Sequence, residues 1–475
     1  MDDYNIKQLP NDQVLLCVVS TAGQGDTPVN MKNFWKFLLR KSLSIDFLSN
    51  VKFSVLGLGD SSFEKFNFAA KKLNKRLLQL GATEIAAIGL ADDQHDLGID
   101  AVFSSWLDSV FNGICKTFNL PQESIQSENT VIEKFNINIL DNVNIDNPQK
   151  DIYVYEAQKN KILITSTVIA NIRTTSADHF QDVKLLKFEI PEHNYKPGDI
   201  VYIKAKNLDD QVDKFFKVLK NNGVDLDPNI VLQITEKEIK LPTVLEPNLT
   251  LRQIAQQYWD LNAKPKRSTI QTLSLISDND LEKEKLTEFT TAAGQEELYD
   301  YINRPRRNII EVLNDFPHTT SKLNVKLLFE IMSPIKPRAF SIASSSNLTK
   351  NEVHLLVAVV KYKTKLYDPR IGLCSNWMAT LKPGDPAVFW IQKGTFKFDY
   401  SKPMIIIGPG TGIAPFRSLL LDKATVDGDL SSCIVFFGCR NKKKDYHCEE
   451  DFQLLCQKYN LRIFCAFSRD QADKM

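Results

Sequence analysis

The chain has 475 residues, too many for one ordinary hydrophobic core, since chains beyond about 250–300 residues divide; about three domains are expected. Hydrophobic residues make up 43% and charged residues 25%, and 59 Lys and Arg against 58 Asp and Glu leave a net charge of +1. This is ordinary globular composition, and it excludes a polybasic nucleic-acid binder on bulk electrostatics. No run approaches the ~18 consecutive apolar residues of a membrane-spanning helix, and the opening MDDYNIKQLP lacks the basic and apolar regions of a signal peptide. A cytoplasmic protein with no membrane partner is expected.

Residues 1 to about 115 alternate short apolar runs with helical patterns, the signature of a parallel sheet covered by helices. VLLCVVS (Val14 to Ser20) reads as a buried strand running into the turn TAGQGDTP. MKNFWKFLLRKSL reads as a helix and VKFSVLGLGD as a second strand. FAAKKLNKRLLQLG reads as a helix stopped by Gly81, and EIAAIGLADD as a third strand. Ligands of open α/β sheets sit at the carboxyl ends of such strands. There, STAGQGD and GLGDSSFEKFN carry glycines together with Phe63 and Phe66, which could flank a planar ring or simply staple loop to helix. His95 lies beside Asp92, Asp93 and Asp96, but consecutive loop residues without EF-hand spacing do not converge on one ion, so no metal is expected.

From Leu120 to about Lys150 periodicity is lost and Asn, Asp, Gln and Glu accumulate, which predicts a flexible connector. Beyond it, KILITSTVIANIRTTSAD, DVKLLKFEI, KPGDIVYIKAKN, EVHLLVAVVKY and DPAVFWIQKGTF are β-branched and alternating, hence antiparallel strands. Asp210 to about Pro334 is largely helical and interrupts them, so a β-barrel with a helical insertion fits best. Within the barrel, RAFSIASS (Arg338 to Ser346) joins a guanidinium suited to phosphate, an aromatic plane suited to a flat ring, and hydroxyls. An ordinary barrel strand is the other reading. GLCSNW (Gly372 to Trp377) supplies a second phosphate-sized nest.

From Lys402 a βαβαβ run begins and stops after three strands. GPGTGIAPFR (Gly408 to Arg417) follows an apolar strand and opens a helix, where Thr411 and Arg417 could bind a pyrophosphate. FSRDQ (Phe467 to Gln471) ends the third strand, and Ser468 with Arg469 could take a 2′-phosphate, favouring NADP over NAD. NKKKD (Asn441 to Asp445) is either a solvated loop or a nucleotide-phosphate contact. Eight cysteines include no CxxC pair. Five of them, from Cys433 to Cys465, have spacings that match no usual zinc or iron–sulfur pattern, so reduced, mostly buried thiols are expected.

GQGD followed by NMKNFWKF, then LGDSSFEKFNFAAKKL, DDQHDLG, GQEELYDYINRPRRNIIEVLNDFPH, PRAFSIASS and FFGCRN span nearly the whole chain, and together they resemble the diflavin reductases. Similarity in the helical insertion points to the branch that serves cytosolic iron–sulfur protein assembly. The resemblance implies a multidomain α/β and β-barrel protein. Its parts are a flavodoxin-like FMN domain at 1–118, a linker at 119–150, an FAD-binding antiparallel barrel at 151–400 with its helical insertion at about 210–334, and a Rossmann-like NADP-binding domain at 401–475. Both outer domains are expected to be truncated: nothing before Val14 matches the family's first strand and FMN-phosphate loop, and the family's further C-terminal strands do not follow Lys474.

Carried over by motif, FMN contacts are expected at Ser20, Thr21, Ala22 and Gly23, at Leu58, Gly59, Asp60, Ser61, Ser62, Phe63, Glu64, Lys65, Phe66 and Asn67, and at Asp92 and Asp93. Ala22 stands where relatives place an aromatic or threonine. FAD contacts are expected at Arg306, at Arg338, Ala339, Phe340 and Ser341, and at Gly372, Leu373, Cys374 and Ser375. NADPH is expected at Thr411, Ser468, Arg469 and Lys474. The resemblance further implies that NADPH gives a hydride to FAD with Ser341 nearby, that FAD passes single electrons to FMN, and that an iron–sulfur protein like anamorsin receives them. A non-catalytic FAD-binding form that competes for the family's partner, and a cytochrome acceptor, are the alternatives.

Overall fold

The computed structural model describes residues 1–95, 98–121, 130–140, 151–155, 162–291 and 293–470. The chain divides into two compact units, residues 1–130 with 289–299, and the remainder.

In the first unit β1 (Val14–Ser20) and β2 (Lys52–Gly59) pair in parallel from Val14↔Lys52 to Ser20↔Leu58. β2 also pairs with β3 (Thr83–Glu84) and β4 (Gly89–Asp92), the last from Leu56↔Gly89 to Gly59↔Asp92. The third expected strand is thus split in two. β2 is buried on both faces because helices cover both, as in parallel sheets generally. Phe53 and Val55 pack with Leu73 and Leu77 of helix Phe68–Gln79, while Leu56 packs with Trp106 and Val110 of helix Asp100–Phe118. The buried hydroxyl on that second face is matched: Trp106 Nε1 donates to Ser54 Oγ at 2.9 Å, and Ser54 Oγ donates to the Ala86 carbonyl at 3.0 Å. Helix Phe68–Gln79 ends at Gly81 as its sequence predicts, with φ +87°. A side chain there would meet the Ile45 carbonyl at 2.8 Å. The residues before Val14 form a 3-10 turn at Ile6–Asn11.

The second unit opens with β5 (Phe135–Leu140), which corrects the connector expected over 119–150. FNINIL alternates apolar and amide side chains, and it pairs antiparallel with β9 (Val231–Glu236) from Phe135↔Glu236 to Leu140↔Val231. Low average hydrophobicity hid a strand that needs only its Phe135 edge buried. Residues 122–129 and 141–150 of that segment lie outside the described residues.

The barrel sheet consists of β6 (Ile164–Arg173), β7 (Val183–Glu189), β8 (Ile200–Ile203), β11 (Arg338–Ser341), β12 (Glu352–Ala358) and β15 (Pro386–Gln392), in the antiparallel order β11-β8-β15-β6-β7-β12. Ile342, just past β11, bridges Leu355 of β12 and nearly closes the cylinder. Phe188 and Phe389 meet edge to face in its core, with centroids 5.5 Å apart. The interruption between β8 and β11 holds β9, β10 (Leu249–Thr250) and helices from Asp209–Asn221 to Val325–Ile331. A short hairpin, β13 (Lys361–Tyr362) with β14 (Arg370–Ile371), leads into helix Leu373–Thr380. β16 (Met404–Ile407), β17 (Cys433–Cys439) and β18 (Arg462–Phe467) form a parallel sheet flanked by helices Ala414–Asp427 and Glu449–Tyr459.

The barrel and this three-stranded module are locked together by a buried polar network. Asp422 accepts from Ser345 Oγ at 2.7 Å, Asn347 Nδ2 at 3.0 Å and Tyr400 Oη at 2.6 Å. Arg417 donates to the Ala343 carbonyl at 2.6 Å and pairs with Asp451 at 2.7 Å.

Candidate flavin and nucleotide sites

On the first unit the expected FMN residues converge at the carboxyl ends of β1, β2 and β4. The segment after β1 folds into a tight loop in which Ala22 and Asp26 exchange backbone hydrogen bonds at 3.0 and 2.7 Å, with Gly23 at φ +49°. Thr21 N–H donates to the Leu58 carbonyl at 3.2 Å, which ties this loop to the next. The loop after β2 is organised by carboxylates. Asp60 accepts from Ser62 N–H at 2.9 Å and Ser62 Oγ at 2.6 Å, and Asp92 accepts from Ser61 N–H at 2.8 Å and Gln94 N–H at 3.0 Å. These bonds hold both carboxyls below the usual range, chiefly through the Ser62 and Ser61 hydroxyls. Asp93 N–H donates to the Gly59 carbonyl at 2.8 Å, joining the two loops. Phe63 is 61% exposed, a bare ring at the mouth of the site, with Glu64 and Lys65 exposed beside it and Phe66 half-buried.

Asn67 differs from its neighbours. It is fully buried in the left-handed conformation at φ 53°, and its Nδ2 donates to the Ala91 carbonyl at 2.9 Å. A Cβ on Gly57 or Gly59 would lie 2.7 Å from its Oδ1, so those strand glycines make room for this amide. Asn67 therefore supports the loop from beneath and does not reach its surface.

In the second unit a cavity of about 660 Å³ opens between the helical insertion and the barrel. Arg306, Arg338, Gly372 and Leu373 line it. Arg338, 46% exposed, donates to the Lys336 carbonyl at 2.9 Å and lies 4.0 Å from Asp260, whose carboxyl is raised by burial. Arg306 takes φ +54°, with its guanidinium 6.0 Å from the Tyr362 ring centroid. Lys264 adds a third cation, its pKa lowered by burial and by Arg306. The rear wall is a buried bidentate pair: Arg370 Nη1 and Nη2 each reach Glu311 oxygens at 2.7 Å. Burial would raise the Glu311 carboxyl, but Arg370 and the Asn308 backbone hold it below the usual range. Asn308 and Glu311 also form a capping box at helix Ile309–Asp315. At Gly372 a Cβ would sit 2.8 Å from Val360 Cβ, so the chain passes where only glycine fits.

The remaining expected FAD residues are placed unequally. Ala339 is exposed and Ser341 half-buried on β11, while Phe340 packs against the barrel core. Ser375 Oγ accepts from Val360 N–H at 3.0 Å, and Cys374 points into the core, its thiol pushed up to about 12 by burial. These last two can face a ligand through their backbone N–H groups. Sequence reasoning missed Lys264, Asp260, Glu311, Tyr362 and Arg370; of these, only the Asn308-to-Glu311 capping spacing was a readable signal.

Thr411, in the 3-10 turn Gly410–Ile413, lines a second cavity of about 330 Å³ with Thr175, His179, Gly410, Asp445 and His447. Ser468 N–H donates to the Cys439 carbonyl at 3.0 Å and Arg469 N–H to the Arg440 carbonyl at 2.8 Å, leaving both side chains at the end of β18. Lys474 lies outside the described residues. Arg417, expected beside the pyrophosphate, is instead buried and clamped to Ala343 and Asp451, because it points back from the helix toward the barrel. Within NKKKD, Lys444 pairs with Asp178 at 2.6 Å. All eight cysteines are free.

The "NADPH-dependent diflavin oxidoreductase 1" of Xenopus laevis is 42% identical over 493 residues, covering 100% of this chain and 81% of the relative. The Danio rerio protein of that name is 41% identical and the Schizosaccharomyces pombe protein 33%, each across the whole of this chain. The chain belongs to the diflavin oxidoreductase family. Three family models match in succession: a flavodoxin at residues 1–106, an FAD binding domain at 157–377 and an oxidoreductase NAD-binding domain at 406–475. This diflavin oxidoreductase therefore combines a flavodoxin-like domain, an FAD-binding barrel and a nucleotide module, and the cofactors of the fold are FMN, FAD and NADP. Among the described residues no helix is long and apolar enough to cross a membrane.

Proposed function

We propose that the chain draws electrons from NADPH through FAD to FMN and delivers them singly to an iron–sulfur protein, anamorsin-like, in cytoplasmic iron–sulfur cluster assembly. The observation that carries the reading is the 660 Å³ cavity, whose lining brings together Arg306, Arg338 and Lys264 with a helix start and a glycine passage. That donor set suits a dinucleotide's diphosphate and little else of that size. The iron–sulfur acceptor rests on the likeness of the helical insertion to the branch serving that assembly.

FAD and FMN would supply, when bound, the chemistry that turns the two electrons of one NADPH hydride into single-electron deliveries. Arg306 and Arg338 hold the FAD diphosphate by charge-assisted hydrogen bonds, helped by the N–H groups of Leu373, Cys374 and Ser375 beyond Gly372. Phe340, only partly covered by the barrel core, would stack on the ring, Ala339 would line it through its backbone, and Ser341 would hold a hydrogen bond at its reactive edge. Ser20 to Gly23, Leu58 to Phe66 and Asp93 form the FMN cradle, which Asp92 and Asn67 brace. Thr411, Ser468, Arg469 and Lys474 hold the phosphates of NADPH.

The test is to load purified chain with both flavins, reduce it anaerobically with NADPH, and mix it with an iron–sulfur acceptor or with a cytochrome. Bleaching by NADPH and faster reoxidation by the iron–sulfur protein are expected. FAD-loaded protein that NADPH does not bleach would favour the non-catalytic reading, and faster reoxidation by the cytochrome would reassign the acceptor.

A further inference from the structure

We propose that His179 binds the phosphate on the nicotinamide side of the dinucleotide, in the cavity beside Thr411. The inference rests on the reading of the nucleotide module above and adds a barrel residue to it.

The imidazole is 5% exposed. Its Nδ1 lies 3.0 Å from the Gln181 carbonyl and 3.3 Å from Gln181 N–H, while its Nε2 is buried with no hydrogen-bond partner. The nearest carboxylate, Asp445, is 3.6 Å away, beyond hydrogen-bond reach. Asp445 is also held in place on its own turn, since its oxygens accept from Arg440 N–H at 2.9 Å and Asn441 N–H at 2.6 Å. A buried nitrogen left unpaired costs on the order of 1–3 kcal/mol. The cost is removed if the cavity wall it forms is filled by a hydrogen-bonding ligand, and the opposite wall is the Gly410–Thr411 turn at the head of a helix, which favours an anion.

The ring is held ready by its loop. Ser176 N–H donates to the Lys444 carbonyl at 2.8 Å, Asp178 pairs with Lys444 at 2.6 Å, and Phe180 lies between the His179 ring at 4.6 Å and the Arg440 guanidinium at 4.1 Å. The position also selects which phosphate. Thr411 follows β16 and Ser468 follows β18, the two edges of the three-stranded sheet, so the two sites are about 10 Å apart across the strands. The cavity opens on the β16 edge, where barrel residues Val183 and Ala358 complete it. The adenosine end belongs at the other edge.

The test uses the full FAD-loaded chain, titrated calorimetrically with NADP+ and with 2′,5′-ADP, which lacks the nicotinamide-side phosphate. His179→Gln and His179→Ala are expected to weaken NADP+ about tenfold, the loss of one hydrogen bond to a charged group, and to leave 2′,5′-ADP within about twofold. The unchanged 2′,5′-ADP affinity also reports that the variants are folded. NADP+ affinity equal to wild type in both variants would overturn the assignment, and so would equal weakening of both ligands, which would mean a purely structural role. Wild-type chain that binds neither ligand would overturn the nucleotide-module reading itself.

Discussion

The proposed FMN cradle and the proposed FAD cavity are built on opposite plans. In the cradle the carboxylates are spent on the loops' own N–H groups, Asp60 on Ser62 and Asp92 on Ser61 and Gln94, so the loops gain shape and offer a ring site near the exposed Phe63. In the cavity Arg306, Arg338 and Lys264 line the space with only light engagement, Arg338 on the Lys336 carbonyl and Lys264 on Asn303, and the structural load falls on a separate buried pair, Arg370 with Glu311. Shape without committed charge suits a flat ring, whereas charge with a rigid rear wall suits a diphosphate. FAD is therefore expected to be held more tightly than FMN, and equal flavin stoichiometry after dialysis would erase the contrast.

The sharpest way to break it is at the rear wall. Glu311→Ala strands the Arg370 guanidinium in a buried site, which costs about 3–5 kcal/mol. Urea denaturation should show a loss of that size in the second unit together with loss of FAD, and a shift below about 1 kcal/mol would mean the wall does not carry the cavity.

The next effect separates the units by pH. Burial lowers His447 to about 4, with Asp445 opposing and His179 reinforcing the shift. Because its folded value is depressed, the unfolded chain takes up the proton first. The stability tied to the neutral ring is complete above about 6.5 and is lost as pH falls toward about 4, at most about 3 kcal/mol. Denaturation of the second unit followed from pH 7 to 4 should show this slope, and His447→Gln should reduce it, the remainder coming from His354, which burial likewise lowers to about 4; an unchanged slope in the variant would assign the acid sensitivity elsewhere.

Arg338→Ala probes the charge itself, since removing one charge-assisted contact of about 1.5–3 kcal/mol should weaken FAD roughly ten- to a hundredfold while leaving FMN content unchanged. Unaltered FAD fluorescence titrations would place the diphosphate elsewhere. The smallest effect belongs to the cradle: Asp92→Ala, which frees the Ser61 and Gln94 N–H groups that its carboxylate holds, should weaken FMN severalfold and leave FAD untouched.

Much of this was legible in the chain. Continuous apolar runs ending in Gly and Asp gave the parallel sheet, and alternating β-branched runs gave the barrel, because both depend on local period. The motif residues Arg338, Gly372 and Thr411 line their cavities for the same reason, each being next to a strand or helix end whose geometry is local. What was not legible depends on contacts far apart in the chain. Lys264, Asp260 and Arg370 reach one cavity through the tertiary fold, and β5 exists because β9 lies beside it. Arg417 illustrates the opposite error: its spacing from the glycines suggested a phosphate ligand, yet the helix turns it toward Ala343 and Asp451.

The central claim is a relay of two flavins fed by NADPH, and anaerobic titration of the doubly loaded chain with NADPH, followed in the visible flavin bands, addresses it most directly. Both flavins should bleach in turn and regain colour as a one-electron acceptor is added. Protein that stays colourless after incubation with FAD and FMN would contradict it.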